Sequence, residues 1–460
     1  MKKIKINMLS NADSIKGQGV GSAYLEQVQL VREGARDLFD VAINEWEDGD
    51  INHFHSVDVG FYFRIKTSRA INVCYVHFLP ETLEGSISLP KPIFSTFKHY
   101  VVDFYRSADY CVVVNPIFID KLTRYNIPRE NIVYIPNYVS KSDFYPMTDQ
   151  QALKQVKQKH RIPMDAFIVL GVGQVQTRKG VLDFVEIAKN HPDKAFVWCG
   201  GFSFGSITDG YKELKQVVEH PPENVYFLDI IPREEMNAMF NLADMLFMPS
   251  YNELFPMSIL EAANVQKPIL LRDLDLYDDI LFDFYLKAHD NRHFSEEIEK
   301  LANDPQYYQA ACALSKSISE KYSKENVLTQ WRDFYSTIYK NRTSSHFITL
   351  RKSRNELSKI LEGNKTMLVD GSSINSTPFG KIKEGDTLLF TNRGESEIKA
   401  SAVIKSIRNY EHFDDEETLN LILKYQTNLC LNATEIKKYA SKLYLTFIEF
   451  DHVVDKSESL

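Results

Sequence analysis

DMLFMPSYNELFPMSILEAANVQKPILLR, residues 244–272, reads as strand, loop, helix and strand. DMLFMPS (244–250) and KPILLR (267–272) have the length and apolar content of strands buried on both faces. Pro256 between them suits the first turn of a helix, where a missing N–H costs nothing. The stretch is therefore a βαβ unit. It also carries two glutamates, Glu253 and Glu261, with seven residues between them. A carboxylate near the positive end of a helix accounts for Glu261. Glu253 precedes Pro256, on the loop entering the helix and on the side of its exposed amides, and helix stability does not explain it.

The same rhythm extends in both directions. IKINMLS (4–10), DVAIN (40–44), INVCYVHF (71–78), YCVVVN (110–115) and NIVYIPN (131–137) alternate with helical patterns. After the polar TDQQALKQVKQKH (148–160) the alternation restarts with AFIVLGVGQ (166–174), AFVWCGG (195–201) and NVYFLDI (224–230). Two Rossmann-like domains follow, 1–150 and 151–340, with the helical 320–341 segment expected to return to the first. NRTSSH (341–346) breaks the pattern. Residues 346–460, with strands DTLLFTN (386–392), IKASAVIKSI (398–407) and KLYLTFIEFD (442–451), form a small third α+β domain with a barrel-like sheet. The acidic DDEE (414–417) reads as a solvated loop or helix start.

Composition narrows the function classes. Acidic residues outnumber basic ones 62 to 54 over 460 residues, so the surface as a whole is not the footprint of a nucleic-acid binder. Cysteines 74, 111, 199, 312 and 430 are scattered, without a Cys-x-x-Cys pair, as in a reduced, cytoplasmic protein. The opening MKKIKINMLSNADS lacks an apolar stretch of secretory length, and nowhere do about 18 apolar residues run together. Neither export nor a membrane span is expected.

Open α/β sheets bind ligands at the carboxyl ends of their strands. GVGQVQTRKG (171–180) lies at such an end, with glycines that admit a ligand to the backbone and with Arg178 and Lys179 suited to phosphate. The 250–261 segment adds helix amides near Phe255, Met257 and Ser258, and carboxylates that accept sugar hydroxyls. Together these suit a sugar diphosphate. In the first domain, Gly19 and Gly21 of GQGVGS fit the loop opening the first helix. His53 and His55 are read as pointing to opposite faces of a strand, so that at most one faces the cleft.

PSYNELFPMSILEAANVQKPIL resembles the Glu-x7-Glu signature of the retaining family-4 glycosyltransferases, enzymes of the GT-B fold. DINHFHS (50–56), YVHF (75–78), IPRENIVYIPNYV (127–139), the Arg-Lys-Gly turn and ADMLFMPS (243–250) extend the resemblance over roughly residues 1–340. INMLSNADSIKGQGVGSAYLEQVQLVREG, YVHFLPETLEGSISLPK and LLRDLDLYDDIL look most like bacterial enzymes that add a second α-hexose to monoglucosyl-diacylglycerol, the lipoteichoic acid anchor. The resemblance implies that Glu261 binds the nucleotide ribose and Glu253 a hydroxyl of the transferred sugar. Lys179 would neutralise the diphosphate and His77 would contact the donor sugar. The co-substrate implied is UDP-glucose or UDP-galactose, with no other cofactor. Metal is not required: Asp273 and Asp275 are read as a solvated loop. Two positions depart from the family: Gln174 stands where relatives carry arginine, and Asn137-Tyr138-Val139 replaces Asn-Gly-Val.

A diacylglycerol-type acceptor calls for a surface that meets lipid. LPKPIFSTFKHYVVDFYR (89–106) interleaves Lys91, Lys98 and Arg106 with Phe94 and Phe97, which suits an anionic membrane surface on the inner face of the cell membrane. An ordinary amphipathic helix explains it equally well. ITLRKSRNELSKILEGNKTMLVDG and IKEGDTLLF resemble ASCH domains, relatives of the PUA RNA binders. With 16 Lys/Arg against 17 Asp/Glu over 346–460, a regulatory or packing role is favoured over nucleic acid. A transferase acting on diacylglycerol itself, or on a soluble or polyprenyl-linked glycan, is the alternative. From another class stands an RNA-binding regulator that senses nucleotide sugars.

Overall fold

The computed structural model describes residues 3–11, 19–68, 70–83, 90–341, 345–373, 382–395, 397–411 and 415–456. The chain divides into two compact units, Met1–Tyr339 and Lys340–Leu460.

The first unit holds two six-stranded parallel sheets. Strands β1 (Ile4–Leu9), β2 (Phe39–Ile43), β3 (Ile51–Phe54), β4 (Ile71–Val76), β5 (Tyr110–Val113) and β6 (Ile132–Tyr134) lie in the order β2-β1-β3-β4-β5-β6. Strands β7 (Ile168–Val172), β8 (Ala195–Cys199), β9 (Val225–Phe227), β10 (Met245–Met248), β11 (Ile269–Arg272) and β12 (Leu286–Ala288) lie in the order β12-β11-β10-β7-β8-β9. In each sheet the order reverses at the first strand, β1 or β7, which opens a crevice at the carboxyl ends of the neighbouring strands. The apolar runs are continuous because helices cover both faces: β4, β8 and β10 are buried at every residue.

The helix Lys324–Lys340 packs against the first sheet although it follows the second in the chain. Trp331 and Tyr335, both buried, meet the rings of His53 and Tyr75, and Arg332 pairs with Asp37 at 2.6 Å. One such aromatic, fully buried, contributes about 1.5–3 kcal/mol. The connection from β2 to β3 has no helix. Residues 44–50 run back across β1, held by Asn7, whose Nδ2 donates to the carbonyls of Glu45 at 2.8 Å and Glu47 at 3.0 Å.

The second unit is a mixed five-stranded sheet of half-barrel form. Strands β13 (Ser345–Leu350), β14 (Met367–Ser372), β15 (Thr387–Asn392), β16 (Ile398–Glu411) and β17 (Tyr444–Asp455) lie in the order β13-β15-β16-β17-β14. β13 pairs parallel with β15 and the other pairs are antiparallel. Helix Asp415–Lys424 begins within the acidic run.

Candidate active site

The loop after β7 closes in a tight turn, Thr177–Lys179, and ends at Gly180 with φ +70°. A Cβ there would lie 2.4 Å from the Pro249 carbonyl oxygen, so glycine lets the loops after β7 and β10 touch. Their contact is continued by the Tyr251 amide, which donates to the Arg178 carbonyl at 2.8 Å. Lys179 is thereby buried, and its Nζ lies 2.5 Å from Glu253 Oε1. Arg178 donates through Nη1 to the Asn252 carbonyl at 2.9 Å and stands 3.6 Å from Glu253 Oε2. Burial alone would push the Glu253 carboxyl upward, but Lys179 and Arg178 outweigh it and hold Glu253 below its usual value. Burial, reinforced by Arg178 and opposed by Glu253, lowers the Lys179 ammonium. Gln174, at the position of the missing arginine, accepts from Gln176 at 2.6 Å.

Pro256 precedes the helix Met257–Asn264, which is buried along its whole length. The Met257 and Ser258 amides belong to its first turn, where N–H groups have no acceptor within the helix. Phe255 presents a buried ring, 5.0 Å from that of Tyr322, and Ser258 Oγ donates to Met248 Sδ at 3.2 Å. Glu261 lies one turn further on, buried, with Oε1 accepting from Arg233 Nη1 at 3.0 Å. Burial raises its carboxyl and Arg233 opposes the rise. The other arm of Arg233, Nη2, pairs with Glu26 of the first domain. Burial, against the charge of Arg233 and the Ser140 amide, pushes Glu26 up to about 7.

Two first-domain asparagines grip the same loop. Asn115, just past β5, donates to the carbonyls of Leu254 at 3.1 Å and Leu276 at 2.7 Å. Asn137 donates to the Phe255 carbonyl at 2.8 Å, so this position of the altered Asn-Tyr-Val triplet joins the two domains. His77 follows β4 and is half-buried. Its Nε2 lies 3.3 Å from His55 Nδ1, and the rings of His55 and His53 are 4.3 Å apart. This corrects the expectation of opposite faces, because residues two apart along a strand share a face. Tyr335 closes the row, its hydroxyl 2.6 Å from His53 Nδ1. Burial drives His77 down to about 3 and His53 and His55 well below their usual value, so all three imidazoles are neutral at physiological pH.

Gly19 and Gly21 lie in the first turn of helix Gly19–Gly34, not in a loop, and residues 12–18 before them are outside the described residues. In helix Lys91–Arg106, Phe94 and Phe97 are half-buried, with Phe97 packed on the core behind β4 and β5. Lys98 is tied to Glu81 at 2.9 Å, Arg106 is exposed, and the Lys91 side chain is outside the described residues. The apolar exposure falls instead on Ile93 and, in the neighbouring helix Val59–Thr67, on Val59 and Phe63. Asp273 is held by His289 at 3.3 Å and Lys287 at 3.9 Å.

Residues 154–317 match the family described as "Glycosyl transferases group 1". The chain is 42% identical over 336 residues to the alpha-galactosylglucosyldiacylglycerol synthase of Streptococcus pneumoniae, covering 73% of this chain and 90% of that protein. It is a group 1 glycosyltransferase. The transferase is also 25% identical to the processive diacylglycerol alpha-glucosyltransferase of Acholeplasma laidlawii, over 66% of this chain and 90% of that one. Its fold is that of sucrose-phosphate synthase from Thermosynechococcus elongatus (TM-score 0.60, 15% identity, 74% of this chain and all of the other). Anabaena HepE in complex with UDP and glucose is similar at TM-score 0.58 and 15% identity, over 73% of this chain and all of that one. Both share the GT-B arrangement of two Rossmann-like domains.

In the transferase, the residues that sequence reasoning missed are Glu26, Arg233, Asn115 and Asn137. Two left a signal. Glu26 sits among the buried residues of an amphipathic helix, where a carboxylate needs a partner, and Arg233 opens its helix at the end where a cation is disfavoured.

Proposed function

We propose that the transferase moves glucose or galactose from a UDP-sugar to a membrane glycolipid, most of all monoglucosyl-diacylglycerol, with retention at the anomeric carbon. The product is a diglycosyl-diacylglycerol of the kind that anchors lipoteichoic acid. The observation that carries this reading is the 42% identity to a galactosylglucosyldiacylglycerol synthase over nine-tenths of that protein. The site supports it. Negative charge develops on the departing diphosphate as the glycosidic bond breaks; Lys179 and Arg178 sit where the loops after β7 and β10 meet, and the Met257 and Ser258 amides open the helix that follows the second loop, groups of the kind that stabilise such charge. Glu253 offers a carboxylate to a hydroxyl of the sugar and Glu261 one to the ribose, with His77 on the opposite domain.

Val59, Phe63 and Ile93, more than half exposed on two neighbouring helices, support peripheral association with the inner face of the cell membrane. Among the described residues no helix is long and apolar enough to cross a membrane. The five-stranded half-barrel with flanking helices supports an ASCH-like second unit in a regulatory or packing role.

The test is incubation with UDP-glucose and UDP-galactose separately over vesicles of diacylglycerol or monoglucosyl-diacylglycerol, with and without EDTA. The anomer of the product is assigned by NMR, and vesicle sedimentation reports membrane binding. An α-linked diglycosyl lipid formed equally in EDTA is expected. A β-linked product, or turnover only with a soluble acceptor, would falsify the reading.

A further inference from the structure

Arg233 is the first residue of the helix Arg233–Leu242, close to the helix's own positive pole. Its place there has to be maintained by something stronger. The guanidinium lies 5.1 Å from the centre of the Phe144 ring and divides its arms between two carboxylates, Glu261 of its own domain and Glu26 of the other. Glu26 is fixed in turn, since its Oε2 accepts from the Ser140 amide at 3.0 Å. A planar fork with both arms occupied has little rotational freedom, so it dictates the orientation of each carboxylate it touches. Glu261 Oε1 is taken by Arg233, and Oε2 accepts no hydrogen bond from the described residues.

We propose that Arg233 is a positioning residue for nucleotide recognition: it holds Glu261 so that the open oxygen, Oε2, meets the hydroxyls of a ribose. This rests on the reading of the pocket as a UDP-sugar site. Burial favours a protonated Glu261, which would lose an acceptor, and the charge of Arg233 opposes that loss. The residue acts through Glu261 and needs no contact of its own with the nucleotide. Its contribution is therefore made in ground state and transition state alike, and appears in binding, not in the chemical step.

The experiment is calorimetric titration of the full-length protein with UDP and with 2′-deoxy-UDP, for the parent, Arg233→Ala, Arg233→Lys, Glu261→Ala and the Arg233→Ala/Glu261→Ala double variant. The parent is expected to prefer UDP. Arg233→Ala should weaken UDP binding about tenfold and bring the UDP preference close to one, the loss expected for one charge-assisted contact. The double variant should bind UDP no more weakly than Glu261→Ala. Arg233→Lys, which reaches one carboxylate at a time, should fall between, and it carries the test if melting shows Arg233→Ala unfolded. Parent-like UDP affinity and preference in Arg233→Ala, or losses that add in the double variant, would overturn the proposal. A parent that binds UDP without preferring it over 2′-deoxy-UDP overturns the role of Arg233 alone. A parent that binds neither overturns the UDP-sugar reading and the proposal with it.

Discussion

The Lys179 ammonium and the Glu253 carboxylate are 2.5 Å apart, brought together from the loops after β7 and β10, and both side chains are buried. Each is the other's closest partner before any substrate arrives. On the proposed reading, a donor diphosphate would draw the ammonium toward itself, and that exchange would free Glu253 for a sugar hydroxyl.

Removing one member of such a pair strands the other. Lys179→Ala leaves Glu253 with Arg178 at 3.6 Å as its remaining cation, and should cost about 3–5 kcal/mol in stability. Lys179→Met/Glu253→Leu, which deletes both charges and keeps the volume, should cost less than Lys179→Ala. Urea unfolding orders the two, and both should lower kcat by about a hundredfold or more. An order of stability opposite to this would show that the pair is not electrostatically isolated.

The asparagine grip makes the loop after β10 a joint property of both domains. Asn115→Asp preserves size and removes the donor that reaches the Leu254 and Leu276 carbonyls. A buried carbonyl left without a partner costs about 1–3 kcal/mol, and these two, half-buried, should cost toward the lower end. The apparent KM for the nucleotide sugar should rise about tenfold, and Asn137→Asp, which breaks the bond to Phe255, should raise it by less. Steady-state kinetics at saturating acceptor measure both, and unchanged KM in either variant removes that residue from the grip.

Glu26 makes stability depend on pH in an unusual direction. Its carboxyl titrates near 7 when folded against 4.5 ordinarily, so the folded chain binds the extra proton between those values. Stability from this group is complete below about pH 4.5 and is lost as pH rises through 7, by up to about 3 kcal/mol. Glu26→Gln mimics the protonated form and should melt with the parent at pH 5 but above it at pH 8. Thermal scans at both values decide, and a Glu26→Gln protein that melts lower at pH 8 contradicts the assignment.

Much of this molecule is legible in its sequence. Strands such as AFVWC are buried on both faces and so must be uninterrupted apolar runs, which leaves the loops after them to carry the candidate site. Lys179, Glu253 and Glu261 stand within such loops or one turn beyond. What escaped reading depends on partners far away in the chain. Glu26 and Arg233 are 207 residues apart, and neither alone says that it needs the other. Phe97 and Ile93 occupy one amphipathic helix, and composition does not tell which of them faces the core. His53 and His55, by contrast, share a face through the period of two that any strand has.

The helix that covers the first sheet last also sets a schedule. The first sheet is complete at Tyr134, the end of β6, and Trp331 and Tyr335 cover it only after roughly 200 further residues have been made. At about 5–20 residues per second, the interval is about 10–40 s on the ribosome. The second domain, continuous in the chain, is complete at Lys321, while the domain that started first still waits with His53 and Tyr75 uncovered until Trp331 and Tyr335 follow. The half of the transferase that is made first is therefore the last to be closed, and its core is finished by the carboxyl-terminal helix of the other half.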